Sequence, residues 1–455
     1  MDFSHLFQTR KHNRSDQARQ YLHGLIQAKR KNMERIEEVV PDSNYAAIQQ
    51  FVTDSPWDHQ PVFDAVAQRG DRLLGGHEDS CLLLDESGFT KKGDKSVGVA
   101  RQYNGRLGKV DNCQVGVYCV LGRGERAVPI DVRLYLPKEW TSDKKRCKAA
   151  GVPKDQRVLR TKIALAMEMI AHARALGVRF AWVGADGLYG NDGAFLRALE
   201  DAGETFVTDV HKDQMIYLDE PELRIPAPTG NRGRRPSLPR CEQRPMRVDR
   251  WVKSQPEDSW TLMDVRDSTK GKVRAHFLTR RVWLWDGKES RARCWTLIVR
   301  RDLDSGGAEE AGEKNAPRTK YTLSNAPVDT PLQRLVYMQG QRFWVERAFE
   351  DGKSHGGMGE YEGRGWRFWH HHMALVAMAM LFMAEEREQH KEDVPLLSCR
   401  DVQELLAHFL PRRNVTTTEV IRQMKERHRK RQDAIEAAYR KQKRLPPGAK
   451  FKLTK

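Results

Sequence analysis

The sequence predicts an α/β protein built on a mixed sheet with flanking helices, and three observations carry that expectation. Two apolar runs, Cys81-Leu-Leu-Leu-Asp85 and Arg179-Phe-Ala-Trp-Val-Gly-Ala-Asp186, have the length and composition of buried strands. Between them, residues 159–176 place Ile163, Met167, Ile170 and Ala171 on one helical face. A run of strands followed by strand–helix–strand alternation is the pattern of a mixed sheet covered by helices.

The elements follow in order. Residues 12–75 read as helical, with Pro41-Asp42-Ser43 before one helix and Ser55-Pro-Trp-Asp58 before the next. This segment, 1–76, is either a small helical DNA-binding domain or a helical cap on the main core. Strands are expected at 81–85, 97–99, 113–121 and 128–135, opening the core at 77–212 as a meander of roughly three strands. After the strand ending at Asp186 come a helix at 192–202, closed by Gly203, and a strand at 205–210. From 213 to 330 the texture changes. Pro, Arg and Gly concentrate at 226–245, and Trp251, Trp260, Trp283, Trp285 and Trp295 fall in short alternating strands. A polar, Gly/Glu-rich loop spans 304–318. This reads as a β-rich insertion. Helices return at 331–353 and 366–387, within a core segment of 331–395. The remainder, 396–455, is a basic tail, an amphipathic helix or a disordered arm, with 15 Lys/Arg against 4 Asp/Glu from residue 411 onward.

Composition narrows the function classes. A chain of 455 residues with a formal net charge of +17 suits a polyanionic partner, of which nucleic acid is the commonest. The seven cysteines are scattered without a C-x-x-C pair, which argues against a zinc ribbon or a disulfide framework and fits a reducing cytosol. The N-terminus has no apolar core of a secretory signal. The apolar run 373–384 is too short to span a bilayer and reads as a buried helix, so no membrane partner is expected.

The candidate chemistry lies in acids at strand ends. Asp85 and Asp186 each follow an apolar strand, where a carboxylate is rigidly held for a metal ion. Each on its own also fits a turn cap. A third element is Gln341-Arg-Phe-Trp-Val-Glu-Arg-Ala-Phe-Glu-Asp-Gly-Lys353. On a helix Arg342, Glu346 and Lys353 share a face, with Phe343, Val345 and Phe349 packing inward. Gly352 is expected to end that helix, leaving Lys353 just beyond it. Glu350 competes with Glu346 on the same face. Glu86 is expected to point away from Asp85 along an extended strand. Lys91 and Lys92 either contact phosphate or sit in a solvated loop. His370-His-His372 resembles a metal cluster, yet consecutive helical residues diverge, so packing is the expected role. The insertion tryptophans are expected to pack their own core rather than stack on a base.

These motifs together resemble the DDE transposases of bacterial insertion sequences, nearest the insertion-sequence-701-like branch, a relative of the group-four elements. The group-four signature is Y-x2-R-x3-E-x6-K. Arg342, Glu346 and Lys353 match its last three positions, while Gln339 stands at the Tyr position and Tyr337 lies two residues earlier. Further resemblance lies in 84–93 (Leu-Asp-Glu-Ser-Gly-Phe-Thr-Lys-Lys-Gly), 99–103, 108–115, 185–190 and 55–58, so that it covers roughly 45–385.

The resemblance implies an RNase H-like core interrupted by a β-rich insertion, with catalytic, metal-binding carboxylates Asp85, Asp186 and Glu346. Two Mg²⁺ ions, replaceable by Mn²⁺, would activate the attacking oxygen and stabilise the leaving one. Arg342 and Lys353 would hold phosphates, the first by its planar fork and the second as a point charge. The expected activity is cleavage at element ends and transfer of the 3′-OH into target DNA. The expected partners are double-stranded DNA, as inverted-repeat ends and target, and a second copy on paired ends, in a bacterial cytoplasm at the nucleoid. The alternatives are a stand-alone RNase H-like endonuclease without strand transfer and a domesticated, non-catalytic DNA-binding protein.

Overall fold

The computed structural model describes residues 3–9, 12–227, 237–268, 271–303 and 318–441. Most of the expected polar loop at 304–318, part of the Pro-rich stretch at 226–245 and the end of the basic tail lie outside the described residues.

The strands are β1 (Cys81–Thr90), β2 (Ala100–Asn104), β3 (Lys109–Arg123), β4 (Arg126–Leu134), β5 (Trp182–Ala185), β6 (Phe206–Val210), β7 (Met215–Ile216), β8 (Met246–Arg247), β9 (Thr261–Ser268), β10 (Gly271–Leu284), β11 (Arg293–Asp302) and β12 (Thr319–Ser324). Among the described residues ten of them form one mixed sheet in the order β2-β3-β1-β5-β6-β12-β11-β10-β9, with β4 also on β3. Only β1-β5 and β5-β6 pair in parallel; β1-β3, β3-β4 and β12-β6 are antiparallel. The RNase H-like mixed α/β fold expected from the sequence is thus present, with β1 at its centre. The first four residues of β1 are all buried, as a strand covered on both faces requires.

One expectation about this start is met and one is corrected. β1, β3 and β4 pair antiparallel in succession as the expected three-strand meander, with the short β2 added on the start of β3. Residues 97–99 form a turn rather than a strand. Gly98 takes φ +73°, a left-handed conformation that ends extended pairing, and β2 begins only at Ala100.

The helices are α1 (Ser15–Gln27), α2 (Met33–Val39), α3 (Tyr45–Thr53), α4 (Gln60–Leu74), α5 (Lys138–Thr141), α6 (Lys144–Ala149), α7 (Lys162–Ala175), α8 (Gly187–Gly190), α9 (Gly193–Asp201), α10 (Val248–Lys253), α11 (Leu332–Gln341), α12 (Phe343–Ser354), α13 (Trp366–Gln389), α14 (Cys399–Phe409) and α15 (Thr417–Lys441). Helix α13 is apolar on nearly every side and is buried accordingly, packing on β4 and against α1, α3, α4 and α14. The N-terminal helices share one continuous apolar core with the sheet through it. No described helix is long and apolar enough to cross a membrane.

The strands of 213–330 do not stand apart. β12 pairs with β6, and β11, β10 and β9 continue the same sheet. Two of the five tryptophans here are buried and three are partly covered. Trp295 is buried, edge-on to Phe206, and donates Nε1–H to Glu200; Trp251 is buried as well. In the described tail, α15 is helical and spends part of its charge on α2. Arg427 pairs with Glu38 at 2.6 Å, Lys430 with Glu34 and Arg422 with Glu37, each at 3.3 Å.

Candidate active site

Register places the acids before any side-chain contact is considered. In the parallel ladder Leu84 pairs with Ala185, and Ala185 pairs with Thr208. Asp85, Asp186 and Asp209 therefore follow the last paired residues of three adjacent parallel strands. Neighbouring strands lie about 4.8 Å apart, so these three side chains form one row where the parallel pairing of β1, β5 and β6 ends. That edge is where open α/β sheets form their ligand crevices.

Each acid is held differently. Asp85 does not end its strand, as the sequence suggested; β1 runs on through it to Thr90. Its Oδ1 accepts the Glu86 backbone N–H at 2.7 Å, and its Oδ2 lies 4.0 Å from Arg342 Nη1. Burial pushes its carboxyl up to about 7, against the pull of Arg342 and helped by the Asp186 charge. Asp186 sits at the start of α8, where Oδ1 caps the helix by accepting the Leu188 N–H at 2.9 Å. The turn-cap role open to it in the sequence is therefore real, but it engages only that one oxygen. Glu86 turns the other way, to Lys162 at 2.6 Å and the Tyr189 hydroxyl at 3.4 Å.

Arg342 joins the row to the late helices. It lies at the break between α11 and α12, largely buried. Its Nε is 3.3 Å from Asp209 Oδ2, and its Nη2 is 3.3 Å from Glu346 Oε1. Glu346 is on α12 with its side chain 62% exposed, so Arg342 connects it to the acid row. Glu350 instead pairs with Arg347 and touches none of these groups. Lys353 lies within α12 and not beyond it, because the helix continues through Gly352 to Ser354. Gly352 is buried inside this helix with the Met358 methyl packed over it, so it is not a stop. The Lys353 ammonium is 5.8 Å from the Phe89 ring at the end of β1.

The other candidates separate. Lys91 is half-buried, its ammonium 3.4 Å from the Tyr361 ring centroid, and burial lowers it to about 8. Lys92 is exposed in the bend after β1. Tyr337 hydrogen-bonds Gly124 and Asp79, just before the start of β1 and therefore at the opposite end of the strand from Asp85. The three histidines of α13 diverge, to Trp366, to Val52 and Trp57, and to Tyr21 and Gly357, so they are core residues.

Asp209 is the site residue that sequence reasoning passed over. It was readable only as one acid inside the strand expected at 205–210. Its Oδ1 accepts the Thr322 hydroxyl at 2.9 Å, and Thr322 accepts from Gln339 at 2.8 Å. Gln339, at the signature's Tyr position, thus anchors a relay that ends on Arg342. Replacing Asp209 by Ala leaves Arg342 and Thr322 without this partner. The expected result is a urea midpoint lowered by the equivalent of about 1–3 kcal/mol; an unchanged midpoint would show that the relay contributes nothing.

Among the described residues no three His, Cys, Asp or Glu side chains meet as a ready cage for one ion. The donor set nonetheless fits a hard divalent cation. Asp85 and Asp186 offer oxygen ligands, and the burial that raises the Asp85 carboxyl outweighs the pull of Arg342, so a further cation there would relieve a buried charge. Mg²⁺ is commonly held by one or two carboxylates, with waters and substrate phosphates completing its shell.

A row of acids at the carboxyl edge of an RNase H-like sheet defines the class of polynucleotide-processing nucleases. A family model described as DDE superfamily endonuclease matches residues 2–272, more than half of the chain, and the chain belongs to that family. The match contains Asp85, Asp186 and Asp209; Arg342, Glu346 and Lys353 lie after it. The probable transposase for insertion sequence element IS701 of Microchaete diplosiphon is 31% identical over 213 residues, 45% of this chain and 51% of that protein. The matched stretch thus spans about half the length of this curated relative.

Proposed function

We propose that the chain is an insertion-sequence transposase that cuts DNA at the ends of its element and joins the freed 3′-OH to target DNA. The observation that carries this reading is the row Asp85–Asp186 just past the end of the parallel β1–β5 pairing, with Arg342 bridging from it to Glu346. Asp85 and Asp186 would hold Mg²⁺, or Mn²⁺ in its place, and Glu346 would complete the set. Bound there, a pair of such ions supplies an activated attacking oxygen and charge neutralisation at the leaving one. Arg342 lies close enough to the acids for its guanidinium to take a phosphate oxygen beside the scissile bond. Lys353 and the exposed Lys92 are placed to add charge along the strand, whereas Lys91 is turned to Tyr361. Asp209, through Arg342, keeps that cation aligned. In each step a water or 3′-OH oxygen bonds to phosphorus as the P–O3′ bond breaks, and the departing oxygen takes a proton.

The segments 1–76 and 396–455 are proposed to engage DNA around a core of 77–212 and 331–395, with 213–330 extending it. Two copies on paired ends are the expected working form, in the bacterial cytoplasm at the nucleoid.

The test uses the full chain, Mg²⁺, a duplex bearing the DNA that flanks the gene, and a plasmid target. Cleaved ends and end–plasmid joint molecules are expected. Hydrolysis without joining would reduce the reading to a stand-alone nuclease. Loss of an outer partner of a metal ligand typically costs 10–100-fold, so Asp186→Ala should lower cleavage by more than about a hundredfold. Unchanged cleavage in that variant would remove Asp186 from the site.

A further inference from the structure

Beside the acid row lies a cavity of about 230 Å³, with Arg342 and Glu346 on its near wall and the strands β9, β11 and β12 on its far side. Those strands bring three cations into it: Arg266, Arg300 and Lys320, with Arg318 also on its lining. Arg300 and Lys320 are direct cross-strand partners. Like charges directly opposite each other repel and destabilise a ladder. Asp302 answers only one of them, through Arg300 Nε at 2.6 Å. The half-buried Lys320 ammonium has no hydrogen-bond or ion-pair partner among the described residues. Burial pushes its pKa down, the Asp209 carboxylate on the same lining pulls it partly back, and the charges of Arg300, Arg342 and Arg318 add to the lowering. Arg266 stacks on Phe343, 3.7 Å from the ring centroid, and among the described residues its guanidinium donates to a backbone carbonyl and pairs with no carboxylate. Two further buried atoms of lining residues, Gln339 Oε1 and Arg342 Nη1, lack a hydrogen-bond partner.

Register shows where this charge stands relative to the acids. Thr322 pairs with Asp209, and Lys320 is two residues further along β12, on the same face. Lys320 in turn pairs with Arg300 on β11. The row of acids across β1, β5 and β6 thus continues as a row of cations across β12 and β11. The step from β5 to β12 or β11 is two or three strands, about 10–14 Å. A DNA strand laid across the edge would put a neighbouring phosphate over the cations while the scissile one sits at the acids.

We propose that this cavity is a phosphodiester subsite, in which Lys320, Arg300 and Arg266 take one backbone phosphate of the DNA strand within a few nucleotides of the scissile bond. The proposal rests on the reading that the acid row cuts DNA. It also explains why the strands of 213–330 are joined to the core sheet: they hold the cations in register with the acids.

The test is binding, not turnover. The affinity of the full chain for a duplex bearing the gene's flanking sequence is measured against salt, in EDTA, for the parent and for Lys320→Gln/Arg300→Gln. Losing one neutralised phosphate lowers the slope of log K against log salt by about 0.9. Lys320→Arg should keep the parental slope, and a urea midpoint checks that the double variant folds, since it removes a like-charged pair but also the Arg300–Asp302 ion pair. Single methylphosphonate linkages locate the phosphate: one position weakens the parent and leaves the double variant unaffected. Running the same series on an unrelated plasmid fragment separates the sources. An effect confined to the flanking duplex assigns the subsite to element ends, one confined to the fragment assigns it to target DNA, and an effect on both assigns a shared strand path. An unchanged slope, or a loss spread evenly over every neutralised linkage, overturns the subsite. A parent that binds neither DNA overturns the transposase reading itself. If the double variant does not fold, Lys320→Gln alone is compared with Lys320→Arg, and equal slopes there overturn the subsite.

Discussion

Replacing Asp85 by Asn is expected to abolish DNA cleavage and, at the same time, to make the metal-free protein more stable at pH 8. The Asp85 carboxyl is raised to about 7 because it is buried, with the Asp186 charge adding to the effect. Its unfolded value is about 3.8, so between these two pH values the folded state binds more protons than the unfolded one. Stability therefore falls as pH rises from about 4 to 7 and stays reduced above that. Three pKa units correspond to about 4 kcal/mol. Asn has the shape without the charge and escapes this cost. Urea midpoints in EDTA should rise in the variant at pH 8, and the gain should shrink by more than half at pH 5. A variant less stable than the parent at pH 8, or a gain independent of pH, would sink the idea. The result would mean that the site is held in a destabilised state until a cation and DNA arrive.

The second large effect comes from α13 and runs the opposite way with pH. His372 is fully buried, between the Tyr21 hydroxyl at 2.9 Å and the Gly357 carbonyl at 3.2 Å. That pairing suits a neutral ring, which accepts from Tyr21 at Nδ1 and donates from Nε2. Burial and the nearby Lys91 charge push its pKa down to about 3. Here the unfolded state binds more protons, so the contribution is intact above about 6.5 and is lost as pH falls toward 3. At pH 4.5 His372 alone costs about 3 kcal/mol. His370 and His371 are lowered for the same main reason, burial, and add to the loss. Domains are stable by only about 5–15 kcal/mol, so this is a large share. Because Asp85 titrates in the opposing sense, the effect is read most cleanly in Asp85→Asn protein. Its midpoint should fall steeply between pH 6.5 and 4.5, and a flat profile there would mean that these rings are not buried neutral.

The parts of the fold carried by local pattern were legible in the sequence. The apolar runs before Asp85 and Asp186 gave the two central strands, and the apolar run at 373–384 gave a buried helix, because burial on both sides leaves a continuous apolar signature. Strand β2 was displaced because its residues alternate between exposed and half-covered positions and carry little apolar periodicity. The sheet's continuation was not legible at all. It depends on β12 pairing with β6 across more than a hundred residues, and no local pattern encodes register at that range. The same gap hid Asp209 and Lys320, which gain meaning only as neighbours in that ladder. The helix through Lys353 was misjudged because Gly352 looks like a terminator until its contact with Met358 is seen.

The packing around α13 also sets an order in time. Tyr21 and His372, which meet in the core, are 351 positions apart in the chain. A ribosome releases the N-terminal helices and Asp85 long before Arg342 and α13. Until then the helices lack the surface they pack on, and the acids lack the cation that stands among them. A chain interrupted before Arg342 therefore carries at most the three acids of the row and lacks the cation that stands among them. If the proposed function holds, late completion keeps the acids without their cationic partner until most of the chain has been made.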